Sequence, residues 1–326
     1  MSQAAGIMGA AKIPVRVSEV AVVNELIKRF RFVQRDGAAM PAFSGGAHTV
    51  IEMDDHGTKR MNPYSLMGDP SDISGYSITV RRDDAGRGGS LYLHRHVVPG
   101  MDMVISHPVN LFGLDLRARK HLLIAGGIGI TPFMAQIAQL AAHNGRFELH
   151  FAARNAALCA YGEQLAAQHG SRVKLYFDDQ GQSIDLNTLL AGQPLGTHLY
   201  VCGPKPMINW VRTTAEAAGW PRGAVHHEEF LAPPPGKVFE VMLAASKKRL
   251  QVGTHQSLLE AIEAAGIEAP YLCRGGACGQ CETDVLDCDG TLLHNDHWLS
   301  PEQKACGNKI MPCVSRFEGR SLVLDR

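Results

Sequence analysis

The sequence predicts a multi-domain chain: an antiparallel β-barrel, then a doubly wound α/β unit with a parallel sheet, then a smaller α+β unit. Three observations predict it. Short strand signals crowd the first third. Strands alternate with helices through the middle. The proline-rich stretch LAPPPGK, from Leu231 to Lys237, then breaks the pattern before a new strand and helix begin. At 326 residues the chain exceeds one ordinary core, domains usually running to about 100–150 residues. The expected divisions are 1–117 for the barrel, 118–231 for the α/β unit, 232–237 for a stiff linker and 238–326 for the last unit.

In the first unit VRVSEVAVV, YSITVRR and SLYLHRHV carry β-branched and aromatic residues between Gly and Asp turns, and all three read as strands. In the second, HLLIAGGIGITP is a buried apolar strand entering a glycine turn. FMAQIAQLAAHNG follows with helical spacing and a Gly stop. FELHFAAR, VKLYFDD and HLYVCGP read as further strands, and LCAYGEQLAAQHG as a helix. Such alternation implies a parallel sheet. In the third unit VFEVMLA is a strand and SLLEAIEAAG a helix.

Charge is balanced, 32 basic against 32 acidic residues with a pI near 7.2. That gives no electrostatic case for nucleic acid or an anionic membrane. No apolar run approaches the roughly 18–20 residues of a membrane span. The start lacks the charged flank and long apolar centre of a signal peptide. The reading is therefore a cytoplasmic protein, in which clustered cysteines are metal ligands sooner than disulfides.

Three of the eight cysteines fall within YLCRGGACGQC. Cys273, Cys278 and Cys281 have the spacing C-x4-C-x2-C, and Cys313 follows in IMPCVSR. This matches the plant-type [2Fe–2S] pattern. Four thiolates must converge on two irons, so the loop wraps closely. Arg274, Gly275, Gly276, Ala277 and Gly279 leave backbone N–H groups free to face the sulfurs. The alternatives are a zinc site, which favours paired C-x2-C knuckles, or buried free thiols. Cys306, in the polar KACGNK, rivals Cys313 as fourth ligand; Cys313 is preferred because its run is apolar and strand-like. Cys159, Cys202 and Cys288 read as small packing residues, and His294 and His297 as surface loop residues.

GGIGITP, from Gly126 to Pro132, opens a helix after a buried strand, where a phosphate can sit on free N–H groups at the positive helix end. Gly126, Gly127 and Gly129 are its candidates. Cys202, Gly203 and Pro204 end another strand of the same sheet, at the edge where open α/β folds bind ligands. Asp178 and Asp179 end a third; an acidic pair there disfavours a 2′-phosphate and favours NADH, or else is a solvated turn. In the barrel, Tyr64 offers a flat ring, Ser65 a hydroxyl, Arg81 and Arg87 positive charge, and Gly88, Gly89 and Ser90 open N–H donors. Such a set suits a flavin and its phosphate, and on residue types alone suits an ordinary strand and turn equally.

Taken together, YSL, VRRDDAGRGGS, AGGIGITP, YVCGP, HHEEF and the cysteine set resemble the phthalate dioxygenase reductase and vanillate demethylase reductase family. That family lies within the ferredoxin–NADP reductase superfamily, and the resemblance covers essentially the whole chain. It implies a flavin barrel, a pyridine-nucleotide domain and a C-terminal plant-type ferredoxin of β-grasp fold, with FMN as the flavin. It implies that Tyr64, Ser65, Val80, Arg81, Gly86, Arg87, Gly88, Gly89 and Ser90 line FMN and its phosphate. Phe230 of HHEEF packs near the flavin ring, and nicotinamide approaches Thr131 and Pro132, so Thr131 and Phe230 are the catalytic-site candidates. One departure stands out. The family arginine precedes the tyrosine by two residues, whereas Arg60 precedes Tyr64 by four. Either the loop is rebuilt or Arg60 has another role.

The resulting expectation is an NADH-dependent reductase. Electrons pass through FMN and a [2Fe–2S] cluster to a separate terminal oxygenase of Rieske type, and the reductase is a monomer. His226 and His227 read as packing or solvent-facing rather than catalytic. One alternative is a similar reductase serving a cytochrome P450 or other monooxygenase. Another is a non-enzymatic iron–sulfur redox sensor.

Overall fold

The structure is a computed structural model that describes residues 9–55, 57–232 and 234–326. Strands β1 (Lys12–Asn24), β2 (Ile27–Gln34), β3 (Ala47–Asp55), β4 (Thr58–Ser65), β5 (Tyr76–Arg81), β6 (Asp102–Ser106) and β7 (Val109–Asn110) form one antiparallel sheet. Their order is β4-β3-β6-β1-β2-β5, with β7 beside β3. In β1, Ile13, Val15 and Val17 are buried while Lys12, Pro14 and Arg16 are exposed, the period of two that one core face requires. A bridge between Met67 and Ser77 ties the chain after β4 to β5. The sheet thus curls round a core that includes Phe30, Phe32, Ile51 and Ile78.

One predicted strand is a helix. SLYLHRHV lies in α1 (Gly89–His96). Leu93 and Val97, four apart, are both buried, which is a helical spacing. Gly88 turns the chain at φ 102°, and His94, Arg95 and His96 occupy the last turn, where cations suit the helix dipole. Leu91 and Leu93 alternate as strand residues do, but on the helix they fall on opposite sides, Leu91 half-buried and Leu93 buried, and the pair that shares the core face is Leu93 with Val97.

The second sheet holds β8 (Lys120–Gly126), β9 (Phe147–Ala153), β10 (Val173–Phe177), β11 (Thr197–Cys202) and β12 (Val225–Glu228), all parallel, in the order β10-β9-β8-β11-β12. Helices α2 (Thr131–Ala142), α3 (Gly162–His169), α4 (Leu186–Ala191) and α5 (Lys205–Ala217) connect the strands. The strand order reverses between β8 and β11, the switch point at which such sheets bind ligands. Two separate cores, one with Phe133 and Phe151 and one with Ile208 and Val211, bury the sheet.

The third sheet contains β13 (Phe239–Leu243), β14 (Lys248–Val252), β15 (Thr283–Leu293), β16 (Lys309–Ile310) and β17 (Arg316–Leu324), in the order β14-β13-β17-β15-β16. Only β13 and β17 pair parallel. Helix α6 (Leu258–Ala264) packs into its core, and α7 (Pro301–Cys306) is a short outer helix. The segment before β13 docks on this unit. Buried Arg316 donates to the carbonyls of Lys237, Gly253 and Gln256 at 2.9, 3.1 and 2.7 Å. Among the described residues no helix is long and apolar enough to cross a membrane.

Candidate functional site

A cavity of about 510 Å³ takes its walls from all three units. Asn62, Tyr64 and Ser65 come from β4, and Gly86, Arg87, Gly89 and Ser90 from the turn into α1. Glu228 ends β12, Glu229 and Phe230 follow it, and Glu260, Cys273, Gly275 and Cys313 come from the third unit. Alternation along β4 puts Arg60, Asn62 and Tyr64 on one face. Arg60 Nη1 and Arg87 Nη1 donate to the same carbonyl, that of His255, at 3.2 and 3.3 Å. The displaced arginine therefore still stands beside Arg87. Asn62, which the sequence reading passed over, fills the intervening place and donates to the Tyr64 hydroxyl at 3.4 Å.

Arg87 is held further. Its Nη1 and Nη2 donate to the two carboxylate oxygens of Glu260 at 2.7 and 3.3 Å. Both side chains are buried, at 6% and 7% exposure. A buried pair of this kind gains little net stability, but losing one partner strands a charge at a cost of about 3–5 kcal/mol.

The chemistry of the wall calls for a polar ligand. His48 Nε2, Arg87 Nε, Glu228 Oε2 and Arg274 Nε are buried without a hydrogen-bond partner, and all four residues line the cavity. Arg60 Nε, close by, is also unpartnered. Burial pushes Glu228 up to about 8, His48 down to about 4 and the Tyr64 phenol up to about 12. Flat apolar surface beside unsatisfied donors fits a flavin with a phosphate.

Not every predicted residue reaches this cavity. Val80 is in the barrel core, and its carbonyl faces His94 Nε2 at 2.9 Å. Arg81 is exposed and lines a second cavity instead. His297 is more than a surface residue: it lines the first cavity, pairs with Glu229 at 2.9 Å and packs edge-on to His227. His294 is half-buried, its Nδ1 3.6 Å from Asp296 Oδ1. His226 stacks on Tyr200, the packing role expected, whereas His227 lines the cavity.

The second cavity, about 410 Å³, lies at the carboxyl edge of the parallel sheet. Gly126, Gly127, Pro204, Met207, Asp178 and Arg154 are on its wall. The two glycine turns meet at the switch point. A Cβ on Gly129 would lie 2.3 Å from the Cys202 carbonyl oxygen, so no larger residue fits. Cys202 is fully buried beside Gly203. Thr131 and Pro132 are buried at the head of α2, the Thr131 hydroxyl donating to the Ile128 carbonyl at 3.0 Å. They line neither cavity. Asp179 donates its backbone N–H to the Arg154 carbonyl. The sequence reading passed over Arg154 because FAAR reads as a plain strand end.

The cysteine loop comes next to the first cavity. Cys273, Cys281 and Cys313 are 2–4% exposed, and the Cys281 and Cys313 sulfurs are 3.2 Å apart. Cys278 is half-buried. A hydrogen bond from Cys278, with the N–H groups of Ala277, Gly275 and Cys278, pulls Cys273 down to about 5. Cys281 is likewise pulled down by Cys313, while Cys278 and Cys313, the other member of each close pair, are pushed up by their partners, so the loop holds two thiol–thiolate pairs. Gly279 has φ 77°, and a Cβ there would strike the Trp298 ring at 2.3 Å. Cys313 sits in the turn at 312–314, not in the strand-like run expected. Every residue from Ile310 to Phe317 is buried, which is why the run reads as apolar strand although the chain turns at Cys313. Cys306 is exposed on α7, and Cys159 and Cys202 are buried elsewhere. The set fits a [2Fe–2S] cluster.

Comparisons with known proteins agree with this arrangement. The family profile "2Fe-2S iron-sulfur cluster binding domain" matches residues 241–318, and "Dimethylamine monooxygenase subunit DmmA-like, N-terminal domain" matches 104–225. The chain is 42% identical to a carnitine monooxygenase reductase subunit of Acinetobacter baumannii, over 96% of this chain and 97% of that one. It is 43% identical to the beta subunit of a heme-dependent oxidative N-demethylase of Ectopseudomonas mendocina, covering 96% and 98%. A vanillate O-demethylase oxidoreductase of a Pseudomonas species is 38% identical, covering 96% and 99%. Among solved structures, a phthalate dioxygenase reductase superposes with a TM-score of 0.87 at 32% identity, over 97% and 98% of the chains. A self-sufficient cytochrome P450 monooxygenase superposes at 0.70, its match covering all of this chain and 43% of that one. By sequence, architecture and cysteine set, the chain belongs to the phthalate dioxygenase reductase and vanillate demethylase reductase family of oxidoreductases.

Proposed function

We propose that this chain is the NADH-dependent, FMN-containing reductase of an oxygenase system and reduces a separate terminal oxygenase of Rieske type. One observation carries the reading: Tyr64, Arg87, Phe230, Cys273 and Cys313 wall a single cavity. When bound, NADH supplies a hydride, FMN converts it to single electrons and the [2Fe–2S] cluster relays them.

The residues position and shield. Arg87 and the N–H groups of Gly88, Gly89 and Ser90 hold the FMN phosphate, and Tyr64 and Ser65 face the flavin. Phe230, 49% exposed at the cavity wall, would pack near the flavin ring. Gly126, Gly127, Gly129, Cys202, Gly203 and Pro204 shape the nucleotide cleft, with Thr131 and Pro132 at the nicotinamide end. Cys273, Cys278, Cys281 and Cys313 hold the cluster. The divisions 1–117, 118–231 and 238–326, a cytoplasmic location and a monomeric state belong to the same reading.

Asp178 sets the choice of nucleotide against an opposing charge, since Arg154 shares its cavity. With two acidic groups at this turn, NADH is expected to exceed NADPH by at least roughly tenfold in kcat/KM, about 1.4 kcal/mol. Replacing Asp178 and Asp179 by Ser should narrow the gap. Steady-state kinetics with both nucleotides check this, and equal efficiency in the unmodified protein would remove the acidic pair from the account.

The partner has a second reading, a heme protein, which the 43% identity to a heme-dependent N-demethylase subunit favours. Co-purification of the native partner from the source cell separates the two. A captured oxygenase with Rieske-type absorbance supports the proposal; a captured heme protein that this chain reduces overturns it in favour of the second reading.

A further inference from the structure

We infer that Glu260, on the third unit, is a positioning residue of the flavin site: it fixes the guanidinium of Arg87 and thereby couples flavin retention to the seating of the cluster-bearing unit. This rests on the reading that Arg87 holds the flavin phosphate.

The argument begins with two helix caps. Helices α6 and α7 both start with a capping box, Ser257 with Glu260 and Ser300 with Gln303. In α7 a neutral glutamine completes the box, accepting from Ser300 N at 2.9 Å. In α6 the same place holds a carboxylate, although Glu260 is only 7% exposed and its charge costs desolvation. Capping alone does not require that charge. Glu260 Oε2 accepts from Ser257 N at 2.7 Å and also from Arg87 Nη1 at 2.7 Å, while Oε1 accepts from Arg87 Nη2 at 3.3 Å. The capping box thus fixes the carboxylate, and the carboxylate fixes an arginine 173 residues earlier in the chain.

The fixing leaves Arg87 able to bind. Glu260 takes the two terminal nitrogens, and Nε has no partner. Arg60, anchored on the same His255 carbonyl, brings a second guanidinium beside Gly88, where a Cβ would lie 3.4 Å from Arg60 Cζ. Arg60 is met only loosely, by Asp55 at 3.7 Å, against 2.7 Å for Arg87 and Glu260, so the site keeps part of its positive charge for an anion after Glu260 has neutralised Arg87. Linkage makes the effect reciprocal: if seating of the third unit strengthens flavin binding, flavin strengthens seating equally.

The test titrates FMN into deflavinated full-length protein and follows flavin fluorescence, for the parent, Glu260→Gln, Arg87→Ala and the double variant. Iron content checks the fold, and glutamine preserves the cap as it does in α7. Glu260→Gln is expected to weaken FMN about three- to tenfold, the worth of one immobilised side chain, and the double variant to be no weaker than Arg87→Ala. If Glu260→Gln binds FMN as the parent does, or tighter, while Arg87→Ala is weak, the inference fails and the phosphate site stands. Additive losses overturn it as well. If Arg87→Ala binds like the parent, the phosphate reading itself has failed. Should Glu260→Gln lose its iron, the unmodified protein carries the test: with FMN bound, cluster loss in urea should need a higher concentration than without it. An unchanged midpoint overturns the coupling.

Discussion

Cys273→Ser, Cys278→Ser, Cys281→Ser and Cys313→Ser are each expected to lose most of their iron, whereas Cys306→Ser keeps it. A hydroxyl is a hard, protonated donor at neutral pH and replaces a thiolate poorly on iron. Three of the four thiols are buried together, Cys281 and Cys313 with their sulfurs 3.2 Å apart, while Cys306 is exposed at the end of α7. Without the cluster the electron path stops at the flavin. NADH-driven reduction of cytochrome c should therefore fall by at least roughly tenfold, a barrier increase of about 1.4 kcal/mol, with direct reduction of ferricyanide retained. Iron and sulfide assays on the five variants check the ligand set. Full iron in Cys313→Ser would show that the fourth ligand lies elsewhere.

The Arg87→Ala variant is expected to release FMN while retaining iron. FMN ends in a phosphate monoester, whereas FAD continues into a diphosphate and adenosine. The turn Gly86–Ser90 suits a terminal group: Arg87, through its unpartnered Nε, supplies a charge-assisted hydrogen bond and Gly88, at φ 102°, turns the backbone into α1 without a side chain. Losing the guanidinium should weaken FMN by about 1.5–3 kcal/mol, the worth of a charged hydrogen bond. It also leaves Glu260 buried without its partner, so thermal stability should fall as well. Chromatography of the flavin freed by denaturation, with fluorescence titration of the variant, separates the two effects. Recovery of FAD, or a variant holding FMN as tightly as the parent, would return this turn to an ordinary loop.

What the sequence could show depended on how local each signal was. The cysteine spacing, the Gly126–Pro132 turn and the strand–helix alternation are contained within short runs, and each stands in the structure where its pattern implied. SLYLHRHV failed because two leucines at i and i+2 imitate strand alternation, while its helical spacing rests on a single pair, Leu93 and Val97, whose burial decides it only after folding. The contacts from Arg87 to Glu260, from Glu229 to His297 and from Arg60 to His255 join residues 173, 68 and 195 positions apart. No local pattern encodes them. His48, Asn62, Glu228 and Arg154 stood out for no chemistry of their own in the sequence. They acquire meaning only where the fold leaves a cavity beside them.

The central claim is that one cavity joins a flavin to the cysteine loop and that NADH drives electrons through both. Anaerobic titration of the holoprotein with NADH, followed by visible absorbance and low-temperature EPR, tests it most directly. The account predicts that the flavin band bleaches and that a reduced [2Fe–2S] signal appears in the same samples, without any added mediator. A bleached flavin with the cluster still oxidised, its signal appearing only on addition of dithionite, would contradict it.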